Sequence, residues 1–119
     1  MAYILAADDS PSIQRMIMLT LETNGHDVTT ADDGVLALEE AKGDEYDLII
    51  TDINMPNMGG FELIKNLREL DDYQLTPILC LTTESSEEYK ARGREAGANG
   101  WLLKPFEPDD LIENIERLI

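Results

Sequence analysis

Short apolar runs alternate along this chain with stretches in which apolar residues recur every three or four positions. Tyr3-Ile4-Leu5-Ala6-Ala7 is almost wholly apolar, the mark of a strand buried on both faces. Ser10 then caps a helix with Pro11 in its first turn. Ile13, Met16, Ile17, Thr20 and Leu21 supply that helix's inner face, and Asn24-Gly25 stops it. Val28-Thr29-Thr30-Ala31 reads as a second, weaker strand. Val35, Leu38 and Ala41 mark a second helix ending at Gly43. Leu48-Ile49-Ile50-Thr51 is a third strand, and Met55-Pro56-Asn57-Met58-Gly59-Gly60 is a loop by its Pro and Gly content. Phe61, Ile64, Leu67 and Leu70 mark a third helix. Pro77 opens a fourth strand that runs to Thr82. Ser85 and Glu88 have the spacing of a capping box for a fourth helix, poor in apolar residues and interrupted by Gly93. Gly100-Trp101-Leu102-Leu103 is a fifth strand. Leu111, Ile112, Ile115, Leu118 and Ile119 give a final amphipathic helix.

The order is therefore strand–helix repeated five times. Parallel pairing with right-handed crossovers makes an α/β, doubly wound sheet with helices on both faces. The 119 residues amount to one domain, 1–119, with no linker or repeat and no room for a second domain. A 43% hydrophobic content suits a folded core. The net charge of -16, from 25 acidic and 9 basic residues, argues against direct nucleic-acid binding and against anionic membranes. No apolar run approaches the roughly 20 residues of a membrane span. The N-terminus lacks the basic start of a signal peptide. One cysteine, Cys80, excludes an internal disulfide and fits a reducing, cytoplasmic setting. Cys80 sits between Leu79 and Leu81 as a small core residue, and His26, the sole histidine, as a surface turn residue.

In an open parallel sheet the chemistry lies beyond the carboxyl ends of the strands. Asp8 and Asp9 follow the first strand, Asp52 the third, Thr82 and Thr83 close the fourth, and Lys104 follows the fifth. Singly, each has a plain structural role, as a turn residue, a β former or a solvated lysine. Together they place three carboxylates at one edge, where their mutual repulsion calls for the lysine or a divalent cation. Hard oxygens without His or Cys favour Mg²⁺ over zinc.

These residues resemble the response-regulator receiver domain along essentially the whole chain. The resemblance rests on Asp8-Asp9-Ser10, Asp52-Ile53-Asn54-Met55-Pro56-Asn57-Met58-Gly59-Gly60, Thr82-Thr83-Glu84 and Lys104-Pro105-Phe106, in order and at matching strand ends. It implies a flavodoxin-like sheet of order 2-1-3-4-5. It implies Asp52 as phosphoacceptor, and a Mg²⁺ held by Asp9, by Asp8 through bound water, by Asp52 and by the Asn54 backbone carbonyl. Lys104 and Thr82 would each meet a phosphoryl oxygen, and the Lys104–Pro105 bond would be cis. Trp101 stands where the family has its aromatic switch, more typically Tyr or Phe. The fourth helix, fifth strand and last helix would form the partner face, with Thr83, Glu84, Lys90, Arg94 and Pro105. For the basic residues Lys90, Arg92 and Arg94, a solvated helix face balanced by Glu87, Glu88 and Glu95 is an equal alternative.

The implied function is a phosphorylation-activated switch of a two-component system, a signalling domain rather than an enzyme. Asn54, Glu84 and the length point to stand-alone CheY-type chemotaxis regulators. The implied partners are a sensor histidine kinase as phosphodonor, a downstream target such as a flagellar switch protein, and a phosphatase, with the domain itself a monomer. The alternative is a phosphorelay shuttle or phosphate sink that hands its phosphate to a histidine phosphotransfer protein. A metal-dependent phosphohydrolase of related topology needs a second acid two residues after the nucleophile, where this chain has Asn54. A flavin module needs a Ser/Thr/Gly-rich phosphate loop where this chain has Asp8-Asp9.

Overall fold

The computed structural model describes all residues, 1–119. Five parallel strands, β1 (Tyr3–Ala7), β2 (Asp27–Ala31), β3 (Leu48–Asp52), β4 (Ile78–Thr82) and β5 (Gly100–Leu103), alternate with five helices. The helices are α1 (Pro11–Thr23), α2 (Gly34–Gly43), α3 (Gly60–Arg68), α4 (Glu87–Ala96) and α5 (Pro108–Leu118). The sheet order is β2-β1-β3-β4-β5, so the expected doubly wound topology is the one observed. No helix is long and apolar enough to cross a membrane.

The near-continuous apolar strands follow from having two cores to fill. Leu5, Ala7, Ile49, Ile78 and Cys80 face one side, packed against Ala37, Ala41, Leu63, Ile64 and Leu67 of α2 and α3. Ile4, Ala6, Leu48, Ile50, Leu79 and Leu81 face the other, against Ile17 and Leu21 of α1 and Leu111 and Ile115 of α5. Each fully buried Leu or Ile contributes about 1.5–3 kcal/mol relative to exposure. The central strands therefore hold the carboxyl edge rigid.

Local details differ from the sequence reading at several positions. Thr83, expected to close the fourth strand, lies beyond the end of β4, which starts at Ile78 rather than Pro77. Ser86, not Ser85, caps α4, its hydroxyl accepting the Tyr89 N–H at 3.2 Å. α3 ends at Arg68, so Leu70 lies beyond it, ahead of a 3-10 turn at Asp71–Tyr73. Val35 is exposed, because α2 lies on the sheet through the small residues Gly34, Ala37 and Ala41. Ser10 caps α1 as expected, accepting from Ile13 N–H at 3.4 Å.

Candidate functional site

Asp8 continues straight out of β1 and is fully buried. One of its carboxylate oxygens accepts the Ser10 N–H at 2.9 Å, and the other meets Lys104 Nζ at 2.8 Å. Its backbone is tied as well, its N–H donating to the Ala31 carbonyl at 3.1 Å. Asp52 ends β3 at 8% exposure. Its Oδ1 accepts the Ile53 N–H at 2.9 Å, and its Oδ2 lies 3.4 Å from Lys104 Nζ. Asp9 is exposed beside them, and carboxylate oxygens of Asp8, Asp9 and Asp52 lie within 4.8 Å of one another.

Electrostatics follow from that geometry. Burial pushes the Asp52 carboxyl above its ordinary range, and the Asp8 charge pushes it further; Lys104 and the Ile53 N–H oppose both. Burial alone would lower the Lys104 ammonium, but the hydrogen bond to Asp8 and the Asp52 charge outweigh it, so its net shift is upward. Lys104 thus remains a cation between two buried acids. One ammonium cannot balance three carboxylates, and the hard oxygen donors suit a divalent cation of the Mg²⁺ type.

Thr82, the last residue of β4, is buried, and its hydroxyl accepts the Glu84 N–H at 3.0 Å. The Glu84 carbonyl in turn accepts the Trp101 Nε1–H at 3.2 Å. A continuous path therefore runs from the Thr82 hydroxyl to the indole. The Trp101 ring stacks edge-on to Tyr89, with centroids 6.1 Å apart, and lies on Gly93, where an added Cβ would stand 2.8 Å from Cζ3. Arg92 lies over the Phe61 and Tyr89 rings, at 4.9 and 5.3 Å from their centroids. Lys90 is half-buried; Thr83, Glu84 and Arg94 are exposed. Asn54 is exposed in the loop after β3. The Lys104–Pro105 bond is cis and Pro105 is exposed.

Sequence reasoning missed Gln14, whose Nε2 donates to the Asp8 carbonyl at 2.6 Å and to the Asp32 carboxylate at 2.9 Å. No short motif signals a bond from one helix to two different loops. It also passed over Asp33, which an Asp-Gly pair ahead of an apolar helix marks as an N-cap.

A doubly wound parallel sheet with clustered carboxylates and one lysine at its carboxyl edge defines a class of α/β domain whose chemistry is electrostatic. The chain belongs to the response regulator receiver domain family, which matches residues 4–116. It is thus a receiver domain of the two-component type. Chemotaxis protein CheY4 of Vibrio cholerae, a solved structure, is 49% identical, with TM-score 0.97, covering 100% of this chain and 99% of that one. The alkaline phosphatase synthesis transcriptional regulatory protein PhoP of Bacillus subtilis is 37% identical over 116 residues. That match covers 98% of this chain but 48% of PhoP, so the chain spans about half of that relative's length. The receiver domain of sensor histidine kinase PA1611 from Pseudomonas aeruginosa, solved with a magnesium ion in its active-site cleft, is 29% identical. Its TM-score is 0.91, covering 98% of this chain and 96% of that one.

Proposed function

We propose that this chain is a phosphorylation-activated switch in which Asp52 takes a phosphoryl group from a phosphohistidine of a sensor kinase. The observation that carries this is Asp52 itself: a nearly buried carboxylate beside a second buried acid, touched by the one lysine of the cluster. An Asp52 carboxylate oxygen attacks phosphorus, an O–P bond forms, the P–N bond to imidazole breaks, and the imidazole leaves with the electron pair. Asp9, Asp52, the Asn54 carbonyl and, through water, Asp8 would hold Mg²⁺. When bound, the ion supplies positive charge for the carboxylates and phosphoryl oxygens. Lys104, already held at the edge of the cluster, neutralises a phosphoryl oxygen. The Thr82 hydroxyl donates to another, giving up its present contact with the Glu84 N–H. The magnesium ion in the active-site cleft of the PA1611 receiver supports a Mg²⁺ site at this edge of the sheet.

Output follows from the Thr82–Glu84–Trp101 path. Drawing the Thr82 hydroxyl toward the phosphoryl group shifts Glu84, whose carbonyl holds the indole N–H. Trp101, α4 and α5 then offer partners a different surface, with Lys90 and Arg94 selecting an acidic one. The likeness to CheY4 favours a chemotaxis role; the family resemblance extends that reading to a flagellar switch target and to a cytoplasmic monomer acting as a single domain. The likeness to a receiver within a sensor kinase favours the relay alternative, and the identity of the fastest phosphate acceptor or donor separates the two. Incubation with a small acyl phosphate and Mg²⁺ should add one phosphoryl group, base-labile and acid-stable. Asp52→Asn should abolish it, and undiminished labelling of that variant would sink the assignment.

A further inference from the structure

The loop between β3 and α3 carries Asn54, and its far end is anchored not by the sheet but by α2. Asn57 Nδ2 donates to the Asp33 carboxylate at 2.7 Å. The other Asp33 oxygen accepts the Leu36 N–H at 2.9 Å as the cap of α2, and the residue is 7% exposed. Alongside, the Gly34 N–H donates to the Met58 carbonyl at 3.1 Å. A Cβ at position 34 would overlap that carbonyl oxygen and the Met58 side chain, so glycine alone lets the helix end come this close. Asn57 takes a left-handed conformation, φ +68°, which Asn and Asp adopt more readily than other side chains. The near end is fixed separately, by the Ile53 N–H on Asp52 and by the Gly60 N–H on the Ile53 carbonyl at 2.8 Å. Asn54 therefore lies on a segment clamped at both ends.

The preceding residue does parallel work on the other side. Asp32 accepts from Gln14, which also holds the Asp8 carbonyl. Two consecutive acids in the β2–α2 connection, neither of them in the acid cluster, thus reach both segments that carry it.

We propose that Asp33 and Asn57 are positioning residues for the acceptor site, holding the β3–α3 loop so that the Asn54 carbonyl is in place before a metal arrives. This rests on the acceptor reading given above. A loop left free must be ordered when the ion binds, and that ordering cost comes off the affinity. Partners that orient ligands from outside the coordination shell are worth about tenfold or more in metal affinity. The cost in this chain falls on a backbone carbonyl, a ligand that side-chain replacement cannot remove.

The test is calorimetric titration of Mg²⁺ into the full chain, with hydrogen exchange of the metal-free protein beside it. Asn57→Ala should weaken Mg²⁺ binding about tenfold and speed exchange of the Gly34 amide before any metal is added. The reciprocal pair Asp33→Asn with Asn57→Asp reverses donor and acceptor. The introduced amide oxygen can still cap Leu36 and the introduced carboxylate tolerates the left-handed φ, so affinity should return to near wild type. Ile115→Val, on the inner face of α5 and in the core on the opposite side of the sheet from the loop, lowers stability without touching the brace and should leave Mg²⁺ affinity unchanged. Wild-type affinity in Asn57→Ala, or equal weakening by Ile115→Val, overturns the proposal. So does failure of the reciprocal pair to recover when its melting temperature matches wild type. Wild-type protein that neither binds Mg²⁺ nor takes label overturns the acceptor reading itself and the brace with it. If wild type binds and labels while Asn57→Ala is unaffected, the brace alone falls.

Discussion

Asp52 carries a charge where a charge is costly, and that cost has a sign that can be measured. Its folded-state pKa lies above the ordinary carboxylate value of 3.8, through burial first and the Asp8 charge second. A carboxyl raised in this way favours the folded state most below its ordinary value, and that contribution is lost as pH rises through the folded-state pKa. Above that pKa the metal-free protein bears the penalty of a buried charge. Asp52→Asn keeps the shape, removes the charge and leaves Lys104 on Asp8 at 2.8 Å. We expect it to melt higher than wild type at pH 7 in a chelator, by roughly 3–6 °C, the shift that about 1 kcal/mol produces in a domain of this size. The advantage should shrink as pH falls through the raised folded-state pKa of wild-type Asp52 toward the ordinary carboxylate range. Melting curves from pH 4 to 8 check this; an advantage that grows on acidification would contradict the electrostatic account. A destabilising buried carboxylate of this kind fits the acceptor role proposed above for Asp52.

At the scale of elements, α4 is the part of the fold least committed to one position. Its buried residues are only Gly93 and Ala96, and the ring of Trp101 fills the space a side chain at 93 would need. Gly93→Ala should push the indole off α4, weaken its bond to the Glu84 carbonyl, and raise acrylamide quenching of the sole tryptophan. Unchanged emission and quenching would show that the ring is not set by this contact. The sequence showed Gly93 as a weak point in a helix, but not that Trp101 occupies the gap, because the two meet only across an α4–β5 contact. The same limit applies to Trp101 itself. It lacks the hydroxyl of a tyrosine, yet its indole N–H finds an acceptor that no local pattern advertises. Arg68 is the extreme case, a last-turn arginine that donates to the carbonyls of Tyr73, Thr76 and Gly97 and to Asn99 Oδ1. Strands and helix faces were legible because burial on two sides writes itself as apolar runs and 3.6-residue periods. Asp8, Asp9, Asp52 and Lys104 were legible as neighbours because the topology sends every strand's carboxyl end to one edge. Long-range polar bonds leave no such period.

For the whole molecule, the excess of 16 negative charges means that any added cation relieves some repulsion, so stabilisation by Mg²⁺ must be separated from screening. The burial pattern makes that separation possible. Asp8 and Asp52 are buried and Asp9 is exposed, although all three belong to one cluster. An ion bound only by the folded state at ten times its dissociation constant stabilises by about 1.4 kcal/mol. For this chain that is a rise of roughly 4–8 °C, over and above NaCl at matched ionic strength. Asp9→Asn removes a solvated charge, so the metal-free melting temperature should move by little, yet the Mg²⁺ increment should largely vanish because a ligand is gone. Asp52→Asn should differ in the first respect and agree in the second: a higher metal-free melting temperature, and again little gain from Mg²⁺. The two variants thus differ in chelator, keep that difference in Mg²⁺, and share only the loss of the increment. If both kept the wild-type increment, the ion would be acting on the general acidic surface. If both raised the metal-free melting temperature alike, the buried pair would not be the seat of the repulsion.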